Sequence, residues 1–137
     1  MLRPIDTRPG EAFVPAPITD EEAAAAFRTV VNIFAKWNLT DRQSATLLDL
    51  PPRSFSRWKT TGTTGTWSRD LKARLSNILG IHKALRYLFR DLDRVYAWVH
   101  KPNAAFGGSS ALAVMENGEL TDLMRVRRYL DAERGAW

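Results

Sequence analysis

Residues 39–59 read LTDRQSATLLDLPPRSFSRWK. Thr40, followed three residues later by Gln43, is a capping box that opens a helix running to about Leu48. Asp49 falls at the turn, where left-handed backbone angles are needed and Asp tolerates them better than most residues. Pro51 and Pro52 are excluded from a helix interior but suit a first turn, whose N–H groups have no partner. A second short helix therefore starts near Pro52. Ala45 supplies the small side chain where the helices cross, and Leu48, Leu50, Phe55 and Trp58 the shared core. This is the layout of a helix-turn-helix, whose second helix lies in the major groove of DNA. Ser44 departs from it, at a place usually apolar, and a bare helical hairpin would leave a similar pattern.

Within this unit Arg53, Ser54, Arg57 and Lys59 point away from the Phe55/Trp58 face. An Arg there can take guanine O6 and N7 together, while Ser54 and Ser56 can reach bases or phosphates. Arg42 and Gln43, at the start of the first helix, are candidates for phosphate contacts, which position without specifying. Each of these side chains also fits a plain solvated helix surface. One such unit spans few base pairs, so the expected assembly is a homodimer on DNA with a two-fold repeat.

Working outward, residues 1–18 contain Pro4, Pro9, Pro15 and Pro17 without periodicity and read as an irregular arm. Thr19 and Glu22 form another capping box. Ala23, Ala26, Phe27, Val30, Phe34 and Trp37 then share one helical face, ending near Trp37-Asn38. Thr60 to Thr66, TTGTTGT, is a polar loop, either a linker or a phosphate-contacting segment. Ser68 caps a helix whose apolar stripe, Leu71, Leu75, Ile78, Leu79, Leu85, Leu88 and Phe89, crosses Gly80. The sequence leaves open whether Gly80 divides it, since Gly weakens a helix interior by only about 1 kcal/mol relative to Ala. A further helix is expected over Asp91–His100, with Leu92, Val95, Tyr96 and Val99 inward. Lys101-Pro102-Asn103 stops it, and 104–108 is a loop. Ser109 or Ser110 caps a short helix ending at Asn117-Gly118, and a last helix runs from about Glu119 to Glu133. No strand-like alternation of any length is present. The fold class is all-α with about eight helices. Its expected parts are the arm (1–18), the helix-turn-helix region (19–66) and a second helical domain for dimerisation and partner binding (67–137).

The 137 residues are 45% hydrophobic, enough for a packed core. The formal net charge is +5, and residues 40–80 hold seven basic and three acidic side chains, so the excess sits on the suspected DNA-binding unit. On charge alone that excess fits equally a phosphate-binding face or a solvated basic one. Cys is absent, which excludes disulfides and thiol catalysis and fits the cytosol. No stretch reads as a signal peptide or bilayer span, so a cytoplasmic protein without membrane contact is expected. His82 and His100 belong to no metal-spaced cluster, and no nucleophile-base-acid or paired-carboxylate pattern stands out. The residues point to a binding protein, not an enzyme, with no cofactor. Gly107-Gly108-Ser109 lacks the Lys and preceding strand of a phosphate loop.

Five stretches carry a family resemblance: SFSRWK (54–59), LKARLSNILGIHKALRYLF (71–89), WVHKPNAAFGG (98–108), the helix pair around Asn117-Gly118, and VRRYLDAERGAW (126–137). With them the chain resembles antitoxins of the Xre/MbcA/ParS group, partners of RES-domain toxins, from Ala25 to Trp137. The resemblance implies an Xre-like unit that binds its own operon promoter. It also implies a C-terminal helical domain that neutralises a toxin degrading or transferring from NAD, with the chain's end reaching the toxin's substrate cleft. The toxin-binding residues it implies are Asn103, Phe106, Arg127, Arg128, Arg134, Gly135, Ala136 and Trp137. Trp and Arg are common binding hot spots, the Trp137 indole suits a pocket built for a planar ring, and its carboxylate suits a cation that otherwise holds pyrophosphate. Against this, Trp137 also fits as core of its own helix, Pro102-Asn103 as a helix stop and Phe106 as a core plug. The alternative function is a plain dimeric helix-turn-helix transcription regulator with no toxin partner.

Overall fold

The computed structural model describes residues 18–62 and 66–135. Helix α1 (Asp20–Lys36) opens on the expected capping box. The Glu22 N–H donates to Thr19 Oγ1 at 3.1 Å, and the Thr19 N–H donates to Glu22 Oε1 at 2.8 Å. Asp20, Glu21 and Glu22 line its first turn, where carboxylates complement the exposed N–H groups. It buries Ala23, Ala26, Phe27, Val30, Ile33 and Phe34. Asn38, with φ +58°, turns the chain out of it into α2 (Asp41–Leu48).

The Thr40/Gln43 box closes in the same way, at 3.1 and 2.9 Å. Asp49 takes left-handed angles (φ 55°, ψ 47°), and the Leu50 N–H returns to the Ala45 carbonyl at 2.8 Å. Helix α3 (Pro52–Thr61) has proline in its first turn and ends at Gly62, with φ +75°. It is longer than the polar loop expected over 60–66 allowed. Thr60 and Thr61 remain helical, their hydroxyls donating back to the Ser56 and Arg57 carbonyls at 3.1 Å. The middle of that loop, residues 63–65, lies outside the described residues, as does arm segment 1–17.

Ser68 caps α4 (Arg69–Leu88), a 20-residue helix that passes through Gly80 unbroken. The glycine has a packing cause. A Cβ on Gly80 would lie 2.4 Å from Cζ of Arg127, whose guanidinium rests on the bare backbone and donates to the Ser76 carbonyl at 3.3 Å. Helix α5 (Leu92–Ala97) gives way to a single 3₁₀ turn at Trp98–His100, so the one helix expected there is two pieces. Leu92, expected inward, opens α5 and is 46% exposed. A second 3₁₀ turn (Ala104–Phe106) fills the expected loop, and α6 (Ala111–Met115), capped by Ser110, leads to α7 (Leu120–Glu133). Among the described residues there are seven α-helices and no strand, only an isolated bridge between Pro102 and Ser110.

Helix α4 is the central element, packed on α7 along one side and α1 along another. Arg127 meets α4 at Gly80 and Arg134 meets it at Tyr87, so a seven-residue advance on each helix reaches the next contact and the two run parallel. The buried apolar residues of all seven helices form one cluster. Phe27 of α1 sits at its aromatic end, 6.0 Å from Phe55, 6.3 Å from Trp58 and 6.0 Å from Trp67 between ring centroids.

One buried cation crosses this core. Arg74 of α4 is 4% exposed. Its Nε donates to Asp70 at 2.7 Å, and its Nη1 donates to the carbonyls of Leu47, at the end of α2, and Gly118, before α7, at 3.1 and 2.8 Å. Removing the guanidinium leaves these carbonyls without a donor, a loss of about 2–4 kcal/mol. Arg74→Met is therefore expected to lower the unfolding free energy by that amount in urea denaturation, and a change under 1 kcal/mol, roughly that of a surface site, would contradict the clasp.

Candidate functional site

The face of α3 divides by where each polar side chain finds a partner. Asp41, the first residue of α2, draws two of them inward. Ser56 Oγ donates to Asp41 Oδ2 at 2.7 Å, and Lys59 Nζ lies 2.7 Å from Asp41 Oδ1. The Lys59 hydrogen bond, then the Ser56 one, hold the Asp41 carboxyl below its usual pKa. Ser56 and Lys59 therefore lock α3 onto α2, and the expectation that they lie open to a duplex meets this competing use. Gln43 is likewise engaged, its Oε1 accepting the Thr40 N–H. Arg42, Arg53 and Arg57 are exposed, and none is paired with a carboxylate among the described residues. Ser54 is half-buried between them. What this face offers a polyanion is thus three free guanidinium groups on a framework stiffened by Asp41.

In the C-terminal half, the residues singled out by the sequence fall into two groups. Asn103 and Phe106 build the loop itself. Asn103 Oδ1 accepts the Ala105 N–H at 2.8 Å, and its carbonyl accepts the N–H groups of Phe106 and Gly108, both at 3.0 Å. Phe106 is 5% exposed, edge-on to Tyr129 at 5.3 Å and to Trp98 at 6.4 Å, with the Arg125 guanidinium 5.3 Å above its ring. Phe106 is thus packed beneath the loop in the free chain. Arg127 is also turned inward, onto Gly80, with Asp131 3.6 Å from its Nε.

The second group faces outward at the end of α7. Arg128 is exposed. Arg134 lies 3.9 Å from Asp131 and stacks 4.9 Å above the ring of Tyr87, which is 67% exposed. Gly135 takes a left-handed φ of +69° just past the helix end. Ala136 and Trp137 lie outside the described residues.

The two histidines sit apart. His82 stacks on Tyr96 at 5.9 Å with its Nδ1 buried and unpartnered, and burial, aided by Arg86, lowers its pKa. His100 Nε2 is 2.6 Å from the Trp37 carbonyl. Among the described residues no three His, Cys, Asp or Glu side chains gather as a metal site, and no helix is long and apolar enough to cross a membrane.

Comparison with known proteins identifies the two halves of the chain. Residues 16–80 match the antitoxin Xre-like helix-turn-helix domain, and residues 84–135 match the antitoxin Xre/MbcA/ParS C-terminal toxin-binding domain. The chain belongs to the Xre/MbcA/ParS antitoxin family. A relative in Sinorhizobium fredii (strain NBRC 101917 / NGR234), the uncharacterized protein y4oB, is 45% identical over 115 residues, spanning 83% of this chain and 84% of that protein. The antitoxin binds DNA through its helix-turn-helix domain and a toxin through its C-terminal domain, and its family is generally non-enzymatic. The junction between the matched regions falls inside α4, so one helix serves both.

Asp41, Asp131 and Tyr87 were not singled out from the sequence. Asp41 reads there only as an acidic first-turn residue, and its partner Lys59 is 18 positions away. Because the folded-state pKa of Asp41 is depressed, its contribution is present above the ordinary value of 3.8 and is lost as pH falls through the lowered one. Asp41→Asn should be less stable than the parent at pH 7, by no more than about 1 kcal/mol for so exposed a pair. In thermal melts the gap should narrow as pH falls below 3.8 and through the lowered value, and a gap independent of pH would contradict this role.

Proposed function

We propose that this antitoxin neutralises a RES-domain toxin that degrades NAD, by carrying its Gly135–Trp137 segment into the toxin's NAD cleft. We further propose that it binds the promoter of its own operon as a homodimer on a two-fold repeat. The observation that carries the first part is the outward end of α7, inside the matched toxin-binding domain. There Arg128 is exposed, Arg134 rests half-buried on Tyr87, and Gly135 takes left-handed angles past the helix end. Arg and Trp are the side chains that most often dominate binding energy, and an indole suits a pocket shaped for a planar nicotinamide or adenine. The RES identity rests on the likeness of WVHKPNAAFGG and VRRYLDAERGAW to antitoxins that partner such toxins.

The second part rests on Arg42, Arg53 and Arg57. Arg53 and Arg57 lie on α3, in the helix position that enters the major groove, and Arg42 lies on α2, where contacts go to phosphate. A single short helix reads few base pairs, which is why a dimer on a repeated half-site is part of the proposal.

Two variants assayed side by side test the division. The chain lacking Gly135–Trp137 should let the toxin consume NAD while binding operator duplex as the full chain does. Arg57→Ala should do the converse, inhibiting fully while losing roughly tenfold in operator affinity, the value of one good base contact. Full inhibition by the truncated chain would contradict the cleft reading. Equal operator losses from Arg57→Ala and from the distant Arg94→Ala would contradict the placement of Arg57 on the DNA.

A further inference from the structure

One surface has no role in the proposed function. It lies where α4 ends and α5 begins. Among the described residues, Tyr87 and Leu92 are the large apolar side chains left exposed, at 67% and 46%. Between them in the chain, Leu88, Phe89, Arg90 and Asp91 line an open groove together with Arg94. Arg90 and Arg94 on the groove, and Lys83 and Arg86 earlier on α4, are exposed, and none is paired with a carboxylate among the described residues. Asp91 caps α5 by accepting the Asp93 N–H at 2.9 Å, and Asp93 is exposed, so four cations stand against two carboxylates.

A scattered exposed apolar residue needs no explanation. Two within six positions, around a groove and among unneutralised arginines, have the make-up of an interface centre, where Tyr and Arg are enriched. The occupant follows from charge and from position. A second copy of this chain would bring the same positive surface against itself across a two-fold axis, which like charges disfavour. An acidic partner is favoured instead. Position names it: Arg134 stacks on Tyr87, and because α4 and α7 run parallel, their C-terminal ends lie side by side.

We propose that the Tyr87–Leu92 groove with Arg90 and Arg94 is a second docking surface for the toxin, seated on an acidic face beside its NAD cleft. The proposal rests on the reading that the end of α7 meets the toxin. It gives the complex an electrostatic guide distinct from the plug: the arginines steer encounter, Tyr87 and Leu92 are buried on contact, and the segment after Gly135 then enters the cleft.

The test uses the full-length antitoxin and the purified toxin, with association and dissociation followed by surface plasmon resonance at low and high salt. Arg90→Glu/Arg94→Glu should slow association about tenfold and flatten its salt dependence, with the milder Arg90→Gln/Arg94→Gln between it and the parent. Tyr87→Ala should speed dissociation. Operator affinity and oligomeric state should be unchanged in all three. Unchanged toxin kinetics in the charge-reversed chain overturn the proposal. Loss of operator binding would assign the surface to DNA, and loss of the dimer would assign it to a second copy; either overturns it as well. Failure of the underlying cleft reading shows separately, as full inhibition by the chain truncated before Gly135.

Discussion

A guanidinium almost wholly withdrawn from water sets the geometry of this molecule. Arg74 leaves α4 and is shared among Asp70, the last turn of α2 and the turn before α7. A buried cation is tolerable only when its donors are met, and here its neighbours supply a carboxylate and two carbonyls that would themselves be unpaired without it. The same contact therefore satisfies three parts of the chain and fixes where they lie. Gly118, held by this bond at φ +87°, also sits against Thr46 of α2, 3.6 Å from where its Cβ would be. The DNA-reading unit and the toxin-binding domain are thus joined side to side as well as through the chain.

Helix α4 extends that joint along the molecule. It runs without a break because Gly80 leaves room for the Arg127 guanidinium, which lets α7 pack close and parallel. Its first half backs the helix-turn-helix and its second half begins the toxin-binding domain. Both proposed binding surfaces are in consequence carried on one frame: the exposed arginines of α2 and α3 at one place, the ends of α4 and α7 at another. The helix the two domains share is 20 residues, about 30 Å, long.

Much of the fold was legible because it is written in local chemistry. The boxes at Thr19/Glu22 and Thr40/Gln43, the caps Ser68 and Ser110, and the left-handed Asp49 all act within four residues, so spacing alone reveals them. The family too was legible, in the run around Pro102-Asn103 and the chain's last helix. What could not be read were contacts between distant positions: Lys59 with Asp41, 18 apart; Arg74 with Leu47 and Gly118, 27 and 44 apart; and Arg127 with Ser76, 51 apart. Each of these turns a charged or polar side chain that reads as surface into part of the scaffold. Phe106 shows the same limit in apolar form: its pattern is recognisable, but only the fold shows it wedged against Trp98 and Tyr129. Leu92 erred the other way, because α5 starts at that residue and its helical period has no preceding turn to bury it.

The central claim is that DNA and toxin engage separate surfaces of one rigid frame. Hydrogen–deuterium exchange on the full chain, alone, with operator duplex and with toxin, tests it most directly. The account predicts that DNA slows exchange in α2 and α3 (41–61), and that toxin slows it from the end of α4 through α7 (84–135). Protection of the same helices by both ligands would contradict it.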